Sequence, residues 1–272
     1  MIKNNFNNQF QKNLANEDYI GSKIDNKILD KLGFFVLKKA FKKKVMDQYR
    51  FKFLNDLKKK NITKTKNHLV EVKIDKLGFF QKIYKDPSLK KAVKNFYNGN
   101  VGSDFYRIVK KDNNNANAVF CHQDSGYQFG SFNRYSLFIS LTKNNNLNGG
   151  LIVYPSTHQF GYLGDVGEIS NKITKNFIKI CPNLEIGDVL IMHSSLWHES
   201  DENFEKKDRI YLEVHIQDAN DPSTKFMITG QRKKTTGIPF DINKIFSNSR
   251  TQRIISLKNK LKKIETKLGN RI

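Results

Sequence analysis

Apolar residues recur every four positions at Phe41, Val45, Tyr49, Phe53 and Leu57, with lysines filling many of the positions between, which predicts an amphipathic helix that buries one stripe. Just before it, LGFFVL at 32–37 reads as a short apolar strand. The hexapeptide DKLGFF stands at 30–35 and again at 75–80, but the flanking residues diverge at once, so no structural repeat follows. Its second copy opens another helical stretch, LKKAVKNFY at 89–97. From Asp104 to Gln217 the pattern changes to short β-like runs: DFYRIV, AVFCHQD, RYSLFISLT, GGLIVYPS, DVLIMHS and RIYLEVHI, separated by Asn, Gly and Asp turns. Short strands with little helical pattern between them predict a sandwich or barrel, flanked by helices at its N-terminal side. The span 161–179 carries few signals, and its length suggests a lid.

With 272 residues and 38% hydrophobic content, the chain can fill one sizeable core. One domain is expected over 1–230, with its β core at about 104–217, followed by a basic tail over 231–272. No apolar run reaches 18 residues and the opening stretch lacks the apolar segment of a secretion signal, so a soluble, cytoplasmic protein is expected. Cys121 and Cys181 cannot build a disulfide framework.

The formal charge of +22 raises the question of a polyanionic partner. Its distribution is uneven: 1–37 is net +1, 38–66 net +10, 67–230 net +1 and 231–272 net +10. Only 8 of the 48 basic residues are Arg, the side chain that dominates base and phosphate-fork contacts, so nucleic acid is not the expected partner. The flanks suit a polyanion or an anionic membrane surface, and they give the rival reading of a basic, non-catalytic metal-binding protein. In the tail, Ile254, Leu257, Leu261, Ile264 and Leu268 follow alternating spacings of 3 and 4, a short a/d seam on a helix over about 250–268. Its stripe can bury on the chain's own barrel, in a homodimer, or at a membrane surface.

The candidate chemistry lies between the flanks. In CHQDSG, His122 and Asp124 are two apart, so on a strand they would project to the same side and grip one metal ion. GDVLIMHSSLWHES offers two candidates for a third ligand, His193 and His198, the latter placed just past a strand end. Two imidazoles and one carboxylate suit Fe(II) and leave positions open for substrate and dioxygen. In RIYLEVHI, Arg209, Tyr211, Glu213 and His215 share one face, opposite Ile210, Leu212, Val214 and Ile216, as a barrel wall beneath a helix layer requires. An inward Arg209 could hold the far carboxylate of a dicarboxylic acid, with the Ser200 hydroxyl as a second donor. Tyr127 and Phe129 are expected to line the pocket, His158 to touch substrate, and Arg107 to meet an anionic group on it.

Taken together, the HxD at 122–124, NGGLIVYPSTHQFG at 148–161, GDVLIMHSSLWHES at 187–200 and Arg209 resemble the phytanoyl-CoA dioxygenase family over about 33–217. That resemblance implies a double-stranded β-helix, a jelly roll of cupin type, mainly β with flanking helices. It also implies an oxygenase that uses Fe(II), 2-oxoglutarate and O2, oxidises a small organic substrate, and releases succinate and CO2. Carried across, it makes His122, Asp124 and His198 the iron ligands and Arg209 with Ser200 the 2-oxoglutarate clamp, leaving His193 and His158 outside the ligand set. It points away from nucleic-acid demethylases, which place a second arginine where His215 stands, from prolyl and lysyl hydroxylases, which typically use Lys at the position of Arg209, and from halogenases, which lose the carboxylate of Asp124.

Overall fold

A computed structural model describes residues 18–58, 70–73, 78–112, 117–127, 130–163, 168–205, 207–233, 256–261 and 263. The chain divides into two units, Met1–Thr235 and Thr236–Ile272.

Among the described residues of the first unit, twelve strands form two sheets. They are β1 (Ile20–Gly21), β2 (Phe34–Leu37), β3 (Val70–Lys73), β4 (Val101–Ser103), β5 (Tyr106–Lys111), β6 (Val119–His122), β7 (Tyr135–Ser140), β8 (Leu151–Val153), β9 (Val189–His193), β10 (His198–Ser200), β11 (Arg209–Asp218) and β12 (Phe226–Met227). The large sheet runs β1-β2-β9-β7-β11-β4-β12, with β5 joining β11 to β3, and the small sheet runs β6-β10-β8. Every pairing is antiparallel except β1 with β2. Phe138, Leu190, Met192 and Tyr211 of the large sheet pack in one apolar cluster with Leu151 and Val153 of the small one, so the sheets face each other as in a jelly roll.

Helices α1 (Asn26–Leu32), α2 (Lys43–Lys58) and α3 (Pro87–Val93) cover the other face of the large sheet, whereas α4 (Asn171–Thr174) is flanked by Ile169 and Phe177, which pack in a small core with residues of the small sheet. On the helix-covered face of the large sheet, Ile210, Leu212, Val214 and Ile216 of β11 bury against Met46, Phe53, Ile83 and Leu89, each such side chain contributing about 1.5–3 kcal/mol. The stripe expected on α2 is realised at Tyr49 and Phe53, with Val45 and Leu57 half-buried against the same core, whereas Phe41 is buried ahead of the helix and Met46 fills the first inward turn. The Asp25 carboxylate caps α1 by accepting from the amides of Lys27 at 2.9 Å and Ile28 at 3.3 Å. Gly33 ends the helix at φ 78°, where a Cβ would lie 2.4 Å from His158 Nδ1.

In the second unit, residues 256–261 and 263 are helical, with Leu257 and Leu261 each 59% exposed. Ile254, Ile264 and Leu268 of the expected seam lie outside the described residues. Among the described residues no helix is long and apolar enough to cross a membrane.

Candidate metal centre

The small sheet sets two imidazoles side by side. His122 ends β6 and His198 opens β10, and the antiparallel register makes them direct cross-strand partners, with ring centroids 4.3 Å apart. His122 Nδ1 lies 2.8 Å from the carbonyl of Phe120, and His198 Nδ1 lies 3.0 Å from that of Leu196. A carbonyl only accepts, so both rings carry a proton on Nδ1 and can present Nε2 as a donor atom, the orientation that metal-binding histidines need.

Asp124 arrives by a different route from the one strand alternation suggests. β6 stops at His122, and Asp124 opens a 3-10 turn, Asp124–Tyr127, secured by the amide of Ser125 donating to the carbonyl of Ser194 at 2.9 Å. The carboxylate nevertheless swings back, its Oδ1 3.7 Å from His122 Nε2 and 3.5 Å from His198 Nε2. Its Oδ2 accepts from Ser136 Oγ at 2.9 Å, which reserves Oδ1 for the space between the rings. Burial, reinforced by His198, pushes His122 down to about 4. Burial alone would raise Asp124, yet the facing His198 and His122 hold it well below the usual carboxylate range. At His198 burial acts downward, but the neighbouring carboxylate outweighs it and the pKa rises. One donor atom from each of the three lies within 4.8 Å of the others, as a metal ion would need. His193 stands apart from them, its ring packed edge-on to Tyr135 and its Nδ1 accepting from the Ser195 amide at 3.1 Å.

Beyond the cluster lies a pair of buried cations. Arg209 opens β11 and faces Lys111 on β5 across the register. Both are buried, and among the described residues Arg209 Nε and Nη2 have no hydrogen-bond partner. Lys111 Nζ donates to Ser200 Oγ at 3.0 Å and to the carbonyl of Asp201. Burial, with Arg209 adding to it, pushes Lys111 down to about 7. Gly149 makes room for it: at φ 71°, a Cβ there would stand 2.7 Å from Lys111 Cδ. Two neighbouring cations with unmatched N–H groups make a candidate receptor for an anion. Sequence reading placed Arg209 and Ser200 in this receptor and missed Lys111, whose one signal was its place two and four residues beyond Val109 and Arg107 on a single strand face.

The remaining expected residues are placed as follows. Arg107, expected to meet a substrate anion, instead donates from Nε to Glu213 Oε2 at 2.6 Å, so its charge is met inside the protein. Glu213 Oε1 lies 2.7 Å from His215 Nε2, and Asp124, Glu213 and His215 form a second group with donor atoms within 4.8 Å. His158 packs away from the metal-capable cluster, with Nε2 2.9 Å from the carbonyl of Asp30 and its ring 5.3 Å from His193. Tyr127 closes the 3-10 turn, and its side chain and Phe129 lie outside the described residues. Trp197 joins Cys121, Ile152, Tyr154 and Ile169 in a small core. The span after Gly161 is tied down by Gln123, between the two HxD residues: its Nε2 donates to the carbonyl of Gly161 at 2.7 Å and its Oε1 accepts from the amide of Leu163 at 3.0 Å.

Residues 30–211 match the sequence model of the phytanoyl-CoA dioxygenase (PhyH) family. No curated protein sequence matches the chain. Solved structures share its fold. The epimerase SnoN in complex with Fe3+, α-ketoglutarate and nogalamycin RO is 14% identical at a TM-score of 0.65, over 79% of this chain and 91% of that one. EctD from S. alaskensis, with 2-oxoglutarate and 5-hydroxyectoine, is 16% identical at 0.61, over 78% and 83%. AviO1 from Streptomyces viridochromogenes Tue57 is 18% identical at 0.59, over 73% and 96%.

Proposed function

The chain belongs to the phytanoyl-CoA dioxygenase family, and from that premise we propose that it is an Fe(II)- and 2-oxoglutarate-dependent dioxygenase that hydroxylates, or otherwise oxidises, a small organic substrate. The observation that carries this reading is the buried Arg209 guanidinium, two of whose nitrogens find no partner among the described residues, beside Lys111: two buried cations next to a cluster of two imidazoles and one carboxylate. The donor set fits a hard-to-borderline divalent ion such as iron, and the cation pair fits the distal carboxylate of a dicarboxylic 2-oxo acid. SnoN and EctD, whose structures hold such groups, support the assignment.

His122, Asp124 and His198 would hold the iron, with Ser136 keeping Asp124 turned so that one oxygen faces the metal. Arg209 and Lys111 would hold 2-oxoglutarate, Ser200 fixing the Lys111 ammonium through its hydroxyl. Bound there, iron and 2-oxoglutarate supply with dioxygen an oxidant for a C–H bond, releasing succinate and CO2. The protein's part is to orient these groups and keep water from them, and the complete burial of Arg209 and Lys111 serves the second task.

Metal titration of four variants tests the reading. His122→Ala, Asp124→Ala and His198→Ala are each expected to abolish Fe(II) binding and 2-oxoglutarate turnover, while His193→Ala keeps the metal. Loss of iron from His193→Ala alone would displace His198 from the ligand set.

A further inference from the structure

On β6, Cys121 points into the small core, whereas Phe120 and His122 share the opposite, open face. Phe120 is 45% exposed, with its ring 5.5 Å from that of His122 and close to perpendicular to it. Gln123, one residue on, bonds to the carbonyl of Gly161 and the amide of Leu163, which holds Tyr162 and Leu163, both exposed, close to the end of β6. Phe132, also exposed, stacks on Tyr162 with centroids 5.3 Å apart and planes within 26°. Phe120 therefore stands open beside an imidazole of the metal-capable cluster, and the exposed Phe132–Tyr162 stack and Leu163 lie near the end of the same strand. Exposed apolar side chains grouped near a site favour an apolar ligand, and parallel rings offer a flat face to a flat one.

The inner wall has the opposite character. Arg107 is met by Glu213, Glu213 by His215, and farther along Arg134 is held between Asp104 at 3.1 Å and Asp221 at 3.3 Å. Each of these charges has an opposite neighbour, and the unmatched cations farther along the same strands, Arg209 and Lys111, are the ones 2-oxoglutarate would occupy, so a second anionic or zwitterionic group would have to break an existing pair to bind.

We propose that the site takes a substrate with a flat apolar body, aromatic or fused-ring, laid against Phe120, Phe132 and Tyr162, whose reacting end is uncharged and hydrogen-bonds to the Arg107–Glu213–His215 wall. This rests on the oxygenase reading and narrows it, away from coenzyme A thioesters and amino-acid-like zwitterions. The occupant is a small molecule, not a protein, because the rim is continuous with the metal-capable cluster through the Phe120–His122 contact.

Equilibrium dialysis of the full chain tests it, anaerobically, with Fe(II) and with excess 2-oxoglutarate to fill the Arg209–Lys111 pair. The probes are 2-naphthol, its anionic counterpart 2-naphthoate, and proline. One 2-naphthol is expected per chain, bound at least tenfold more tightly than either other probe. Phe132→Ser with Tyr162→Ser, and separately Phe120→Ser, should each weaken it at least tenfold while circular dichroism stays native. Equal or tighter binding of 2-naphthoate, no binding of 2-naphthol, or affinity unchanged in the folded rim variants would overturn the proposal. Succinate formation by the same preparation separates the two readings: naphthol binding without succinate sinks the oxygenase reading alone, and succinate without naphthol binding sinks the substrate class alone.

Discussion

A lysine shut away from water has to be matched by something, and the nearest formal charge across the register from Lys111 is another cation, Arg209. An anion relieves both. Arg209→Lys keeps the charge but loses the planar fork, and should weaken 2-oxoglutarate binding by about 1–3 kcal/mol with iron affinity unchanged, as calorimetric titration would show. Lys111 also gives a pH dependence whose sign follows from its lowered pKa. It titrates at about 7 when folded without an anion and near ~10.4 when unfolded, so between those values the unfolded chain binds the extra proton and stability rises with pH. Relative to Lys111→Met, the parent's melting temperature should climb from about pH 7 upward, and 2-oxoglutarate should flatten the climb by restoring the cation's partner. A constant gap across the range would show that Lys111 is not the group responsible. Ser136→Ala should lower Fe(II) affinity by about 10–100-fold, since Asp124 then loses the hydrogen bond that turns it, and Ser136→Thr should restore it. His122, Asp124, His198 and Arg209 were legible because short motifs carry them; Lys111 and Ser136 were not, because their partners lie 89 and 12 residues away and only strand register brings them together.

β11 was the most legible of the elements. Residues 209–217 alternate strictly, the apolar set under the helices and the other set inside, and period two shows as much without any knowledge of the neighbours. The end of β6 was not legible, since nothing in CHQD shows that the strand stops before Asp124 and a 3-10 turn redirects the carboxylate. The two copies of DKLGFF make the same point through stability. Gly33 caps α1 in the left-handed region, hemmed in by His158 and by Leu196 Cδ1, the latter 2.8 Å from where a Cβ would sit, whereas a Cβ on Gly78 would meet nothing within 4 Å among the described residues. Gly33→Ala should therefore cost about 1–3 kcal/mol in urea unfolding, from backbone strain and displaced neighbours together, while Gly78→Ala should change stability by less than about 0.5 kcal/mol. Comparable losses at both sites would mean that the hexapeptide is a structural repeat after all.

Across the whole molecule, the uneven charge matters more than its total. The central span, 67–230, carries the metal-capable cluster and is nearly neutral at net +1, so the two +10 flanks are not needed to build the site. The tail's a/d spacing was legible, but what covers the stripe was not, because the helix alone does not say whether the chain's own barrel, a second copy or a surface takes it. Leu257 and Leu261, one turn apart, stand exposed among lysines, a face that a second copy could cover in a short seam. Ionic strength separates this from capture of an anionic surface, because the two respond with opposite sign. Two copies of a +10 segment repel, so added salt screens the repulsion and strengthens pairing; a polyanion or anionic vesicle releases counterions on binding, so added salt weakens it. Light scattering of the full chain between about 50 and 500 mM salt should show a dimer that grows with salt, and removal of 236–272 should leave a monomer at every concentration. A monomeric full chain that sediments with anionic vesicles at low salt, and releases them as salt rises, would assign the stripe to the surface instead.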